Sequence, residues 1–212
     1  DIAGLLGHLP HGGLPLGLAW IDAATGSHPP SKPRNPGIAV LERSNPTLWD
    51  EWLLALRQAE GESHVIRTSG RYPLCGRGDI NTYAIFAELN RDLLGKRGHV
   101  GLIIPSGIAT DDTTSHFFRS LVRERSLVSF LSFWEIRRFF PDTQSRQPFA
   151  LVTLASRQAG PLQASLAFDL HSVARARSEG DHFRLSASDF ELINPNTGTC
   201  PIFRTPRDAE IT

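Results

Sequence analysis

A short apolar run, His99-Val100-Gly101-Leu102-Ile103-Ile104, closed by Pro105, limits the folds open to this chain. It is too short for an independent helix and too apolar for a solvent-facing strand. It has the form of a parallel strand covered on both faces. A helical segment is expected on each side. Before it, Asp79 reads as an N-cap, with Ile80, Tyr83, Phe86, Ala87, Leu93 and Leu94 mostly on one side and Gly95 as the stop. After it, Thr110-Asp111-Asp112 caps a helix to about Arg125, with Phe117, Phe118, Leu121 and Val122 inward. Leu127–Phe133 is a second strand and Phe149–Leu154 a third. Ala164–Leu170 is expected to pair with the third through the turn at Gly160-Pro161. This order of helices and strands is the grammar of a doubly wound α/β sheet.

The two ends read differently. Residues 1–36 hold six of the 15 prolines and only four charged residues. His28-Pro29-Pro30-Ser31-Lys32-Pro33-Arg34-Asn35-Pro36 sustains neither a helix nor a central strand, because proline lacks the N–H and restricts its neighbour. We read residues 1–39 as an irregular Pro/Gly-rich arm. Asn45-Pro46 then caps a helix whose Leu48, Trp49, Trp52, Leu53, Leu56 and Ala59 share a face, with Gly61 as its end. Beyond 171 the pattern weakens. Ser188 caps a short helix through Ile193, Asn194-Pro195-Asn196-Thr197-Gly198 is a turn, and Pro206–Glu210 opens another helix. The chain begins at Asp1 and contains no Met, so we expect it to be a piece of a longer protein or to have lost its start.

Charge and cysteine content exclude several classes. Lys and Arg number 22 against 22 Asp and Glu, which excludes a polycation holding nucleic acid by bulk electrostatics. Cys75 and Cys200 lie far apart and outside any C-x-x-C spacing, so reduced cytoplasmic thiols are expected rather than a disulfide or zinc framework. No apolar run approaches membrane-spanning length, and the opening Ile2–Gly7 lacks the basic flank of a signal peptide.

Most local motifs are explained without chemistry. His11-Gly12-Gly13 resembles an esterase donor loop, but no G-x-S-x-G elbow accompanies it. Arg77-Gly78-Asp79 is a chance-level tripeptide. Asp111, Asp112 and His116 do not make a convincing metal set, since acids suit a helix N-terminus without any ion. No G-x-x-x-x-G-K-[ST] or G-x-G-x-x-G cradle is present. The stretch from Ser115 to Gln147 is richer, with six arginines against three acids and Phe130, Phe133, Trp134, Phe139 and Phe140 interleaved. Two readings stand. The arginines hold phosphates while aromatics stack on bases, or the stretch is a solvated helix face over core aromatics.

Several ordered blocks over residues 40–212 resemble adenine-N6 DNA methyltransferases of restriction–modification type, the class in which methylase and nuclease are sometimes fused. They are Gly76-Arg77-Gly78-Asp79-Ile80-Asn81-Thr82-Tyr83-Ala84-Ile85-Phe86-Ala87-Glu88, Gly98 through Asp112 with its Ile104-Pro105-Ser106-Gly107, and Phe139-Phe140-Pro141-Asp142-Thr143-Gln144-Ser145-Arg146 followed by Phe149–Leu154. Asn194-Pro195-Asn196-Thr197 and Cys200-Pro201-Ile202-Phe203-Arg204 resemble the segment after the methylase core. The resemblance implies a partial Rossmann-like sheet of the S-adenosylmethionine-dependent type, with Val100–Ile104 central, Leu127–Phe133 outer and Phe149–Leu154 its antiparallel last strand. Residues 40–170 would be the C-terminal half of the core, and 171–212 the start of the DNA-recognition region. Phe140, before Pro141, matches the aromatic that stacks on a flipped adenine, which needs an apolar face to replace its lost stacking. Tyr83 and Ser106 are further base-side candidates, and Arg137, Arg138 and Arg146 are DNA-contact candidates.

The chain departs from the family pattern where the chemistry is densest. The Gly-rich block that binds the methyl donor and the Asn-Pro-Pro-aromatic block that orients the target amine belong before residue 62, and neither is there. Asn35-Pro36 and Asn45-Pro46 lack the aromatic, and Asn194-Pro195 lies on the wrong side of the core. The resemblance therefore implies S-adenosylmethionine and DNA for a parent enzyme, and no catalytic residue for this chain alone. Its implied partners are the missing methyltransferase half or a nuclease domain. A non-catalytic DNA-binding or specificity subunit, or a degenerate fragment that pairs with a cofactor-bearing partner, is the alternative.

Overall fold

The structure is a computed structural model that describes residues 36–135, 139, 140, 148–203 and 208, apart from the side chains of 36, 37 and 39. The chain divides into two compact units, one ending at Thr82 and the other beginning at Tyr83.

The first unit carries two helices, followed by turns, among its described residues. Helix α1 spans Pro36–Ser44 and α2 spans Pro46–Thr68. The last residues assigned to the arm, 36–39, are therefore the first turn of α1. Proline is tolerated there because its missing N–H would have had no helical partner. Asn45 caps α2 as expected, its side chain accepting a hydrogen bond from Leu48 N at 3.2 Å. Trp49 and Trp52 stack one turn apart, centroids 4.8 Å apart. Gly61 does not end α2, which runs on to Thr68 before Gly70 adopts a left-handed φ of 70°. Ala59 and Ser63 are buried on either side of Gly61, so packing overrides its weak propensity.

Asp79 is not a helix cap. The next helix, α3, spans Thr82–Asp92. Gly78 takes a left-handed φ of 58°, and its carbonyl accepts a bond from Arg67 Nη2 at 3.0 Å. That holds the chain in a turn and delays the helix.

The second unit is built on a five-stranded sheet: β1 His99–Pro105, β2 Leu127–Trp134, β3 Pro148–Ala155, β4 Gln163–Leu170 and β5 Phe183–Ser186. The spatial order is β1-β3-β2-β4-β5. Only β2 and β4 pair in parallel; the other three pairings are antiparallel. β1, β2 and β4 thus run one way, and β3 and β5 the other. Within the described residues β1 is an edge strand and β2 an internal one, the reverse of the expected placement. β1 is also not covered on both faces: Leu102 and Ile104 are buried, whereas Ile103 is 62% exposed.

The expected hairpin between the third and fourth strands does not form. After β3 the chain docks on the turn before β2, with Ala155 N, Gln158 N and Gly160 N donating to the carbonyls of Ser126, Glu124 and Arg125 at 2.8, 2.7 and 2.9 Å. Arg125 and Gln158 both adopt left-handed φ, 49° and 63°, and the Arg125 guanidinium bonds Gln158 twice. A Cβ at Gly160 would collide with the Arg125 carbonyl. This clasp carries the chain past β2, and β4 forms on its far side.

One sheet face is covered by helices. The segment after β1 folds as a short helix α4, Gly107–Thr110, a 3-10 turn at Asp112–Thr114, and α5, Ser115–Arg123. Asp111 makes no side-chain cap bond, and α5 starts later than Thr110-Asp111-Asp112 implied. Phe117, Phe118, Leu121 and Val122 are buried as their spacing requires. Phe118 meets Phe130 of β2 and Phe190 of α7, Ala187–Ile193, edge to face. Ser186, not Ser188, caps α7, because the Asp189 carboxylate reaches back to the Ser186 N–H at 2.7 Å in a reciprocal capping box. A short helix α6, Val173–Ala176, and β5 had no clear signal in the sequence. Residues 171–203 therefore continue this sheet and its helical layer. The helix opening expected at Pro206–Glu210 lies almost wholly outside the described residues.

Gly61 has open space around its missing Cβ and sits in an α-helix. Gly61→Ala is therefore expected to stabilise the chain by about 0.5–1 kcal/mol, read as a higher midpoint in urea-induced loss of helical circular dichroism.

Candidate functional site

Alternate residues of a strand share a face, and cross-strand partners share it too. On the sheet face opposite α5, the register lines up Ile103, Leu151, Leu131 and Ala167 across four strands. The next row places Pro105, Phe149, Phe133 and Leu170 together. Asp169, at a left-handed φ of 53°, absorbs the register shift that returns Leu170 to this face.

Four aromatic rings collect at this end of the sheet. Phe133 and Phe149 stack with centroids 5.2 Å apart and planes 9° apart. Phe139 stands edge-on to both, at 5.5 Å from each. Phe140 stands nearly perpendicular to Phe149, at 5.3 Å and 74°. Exposure rises along the cluster, from fully buried Phe133 through half-buried Phe149 and Phe139 to Phe140, which is 39% exposed. The arrangement presents an apolar ring to solvent from a rigid aromatic base.

Ser106 reaches the same strand start. Its N–H donates to the Pro148 carbonyl at 3.3 Å, one residue from Phe149, and its side chain is buried at the end of β1. The fold thus gathers Ser106 and Phe140 around residues 148–149. Tyr83 occupies the second position of α3 and is half-buried. Arg137, Arg138 and Arg146 lie outside the described residues, as do Pro141 and the block that follows it.

The arginine-rich stretch divides between the two readings. Arg119 donates to the Asn196 carbonyl at 3.0 Å, and Arg125 is clasped to Gln158, so both serve the fold. Arg123 is exposed. Phe130 and Phe133 are core, whereas Trp134, 42% exposed, and Phe140 face solvent. Asp111, Asp112 and His116 are exposed, and among the described residues no group of three or more metal-ligating side chains gathers. Burial pushes the Cys200 thiol well above its usual range, which leaves it a poor nucleophile.

One constellation escaped sequence reasoning. Ser165 Oγ lies 2.8 Å from His182 Nδ1, and His182 Nε2 lies 2.9 Å from the Ala176 carbonyl. A carbonyl only accepts, so Nε2 carries the proton and Nδ1 accepts from Ser165. The pair ties β4 to the segment before β5. The Ser165–His182 pair depends on the β4–β5 pairing, which no local pattern encodes. The turn expected at Asn194–Gly198 forms: Asn194, Thr197 and Thr199 bond one another, and just beyond it Cys200 N donates to the Ala109 carbonyl at 2.7 Å.

A cleft among Val122, Leu127, Leu185 and Phe190 encloses about 10 Å³. One water would fill it. No helix among the described residues is long and apolar enough to cross a membrane.

No family model and no curated protein matches this chain. Among solved structures it is similar to the type IIG restriction endonuclease BpuSI, at 15% sequence identity and a TM-score of 0.43. That distant likeness covers 80% of this chain and 19% of the other, so the chain spans about a fifth of the length of BpuSI.

Gly198 holds a left-handed φ of 60°, and a Cβ there would strike the Arg119 guanidinium. Gly198→Ala is expected to destabilise the second unit by about 1–2 kcal/mol through backbone strain alone. Chemical denaturation checks this; an unchanged midpoint would show that the turn yields freely.

Proposed function

We propose that residues 40–170 are the C-terminal half of an S-adenosylmethionine-dependent adenine-N6 DNA methyltransferase core of restriction–modification type, and that 171–212 lead into its DNA-recognition region. The observation that carries this reading is Phe140: an aromatic matching the family's base-stacking position, 39% exposed on a stacked aromatic base at the strand start that also receives the Ser106 N–H. The ordered sequence blocks support it. So does the antiparallel insertion of β3 between two strands that run together.

In this reading Phe140 replaces the stacking that an adenine loses when it leaves the duplex. Ser106 borders the base site, Tyr83 lies on its approach, and Arg137, Arg138 and Arg146 hold the distorted backbone. No step through the methyl donor is assigned to the described residues. The donor pocket and the groups that orient the target amine belong to other residues of a cytoplasmic parent enzyme or complex.

Exposed Ile103 on the edge strand β1 favours a second reading. The chain is then a non-catalytic DNA-binding or specificity element whose sheet is completed by a cofactor-bearing partner. The coding sequence upstream separates the two, because an in-frame Asn-Pro-Pro-aromatic block supports a single parent enzyme and its absence supports a partner.

Two outcomes are expected. The isolated 212-residue chain transfers no labelled methyl group to DNA; transfer above background would overturn the assignment of the donor site elsewhere. Phe140→Ala weakens binding of a duplex carrying mismatched 2-aminopurine by roughly five- to a hundredfold, the range for losing one base–aromatic stack. Equal affinity and equal base-flipping fluorescence in the variant would remove Phe140 from the site.

A further inference from the structure

We propose that Phe149 is a positioning residue that sets the plane of the Phe140 ring for a nucleobase. The inference rests on the reading of Phe140 as the base platform, and names the residue through which the fold controls it.

Phe149 is the hub of the cluster. It stacks flat on buried Phe133, its partner in the β2–β3 ladder, so its own plane is fixed by the sheet. Phe139 and Phe140 both meet it nearly at right angles, at 75° and 74°. Edge-to-face contacts are directional, because the positive ring edge seeks the negative ring face. A phenylalanine ring can reach several planes through its two side-chain torsions. The edge-to-face contact with Phe149 favours one plane for Phe140, and a base entering from solvent meets a platform already oriented. Leucine at 149 would retain apolar burial and lose the directional contact, whereas tyrosine would retain both.

The test uses the full 212-residue chain. 4-Fluorophenylalanine placed at position 140 reports the ring's surroundings by fluorine NMR without DNA. We expect the resonance to move towards that of the free amino acid in Phe149→Leu and to stay in place in Phe149→Tyr. An unmoved resonance in Phe149→Leu overturns the proposal. Affinity for a single-stranded oligonucleotide containing 2-aminopurine supplies the functional arm. Phe140→Ala and Phe149→Leu should each weaken it by about fivefold or more, Phe149→Tyr should restore it, and the double variant should be no weaker than Phe140→Ala. Should Phe140→Ala bind as the parent chain does, the base-platform reading fails. Should Phe140→Ala weaken binding while Phe149→Leu does not, or the two losses add, the positioning role fails and the platform stands. The thermal unfolding midpoint of each variant, measured in parallel, separates a loss of folding from a loss of orientation.

Discussion

β3 holds the second unit together because it is hydrogen-bonded along both edges. β1 pairs with β3, and β2 pairs with β3 on the other side. Among the described strands β1 has no other neighbour in the sheet. Without β3 the ladder groups of β1 would lose their partners, and unpaired buried amides and carbonyls cost more than the bonds return. β3 also runs against both neighbours, so its first residues lie beside the last residues of β1 and β2. Ser106, Phe133 and Phe149 meet for that reason and not from any closeness in sequence.

The placement of β3 decides what the two sheet faces become. Ala150, Val152 and Leu154 point under α5 and α7 and are buried. Phe149 and Leu151 point the other way, where α6 reaches only the β4 side through Ala176. The face is therefore covered in steps, from Leu170 and Phe133 fully buried to Ile103 in solvent. The rings follow the same gradient, and Phe140 is exposed because it stands at the end of it.

The sequence made the strands legible but not their pairing. Apolar runs at 99–104, 127–133, 149–154 and 164–170 all became strands within a residue or two. Gly160-Pro161 resembled a hairpin turn, and a local reading has no access to the Arg125–Gln158 clasp that sends the chain elsewhere. Gly61 and Asp79 failed for a related reason: helix stops and caps are weak preferences, and packing at Ala59 and Ser63 or the hold of Arg67 on Gly78 outweighs them. Asn45 succeeded because its cap bond is local. For the candidate site, the sequence singled out Phe140 by its place before Pro141. Phe149 read only as a strand residue, because its contacts need the β2–β3 register.

The β1 edge carries a further physical argument. Exposed edges are usually blunted by lysine, glutamate, an inward charge or a bulge. Before Pro105, the proline that closes it, β1 has none of these: its register with β3 is unbroken, and its only polar side chain is His99 at the start. Gly101 adds no bulk to the edge, and Ile103 adds apolar surface. A strand of this kind is stable in solution when something pairs with it. The apolar row ending in Ile103 requires that neighbour to bring an apolar residue alongside. The zero net charge of the chain places no long-range repulsion in its way. The edge and the aromatic platform belong to one sheet, joined through the single strand β3. A chain that completes β1 would therefore dock on the same sheet that carries Phe149 and the rings around it.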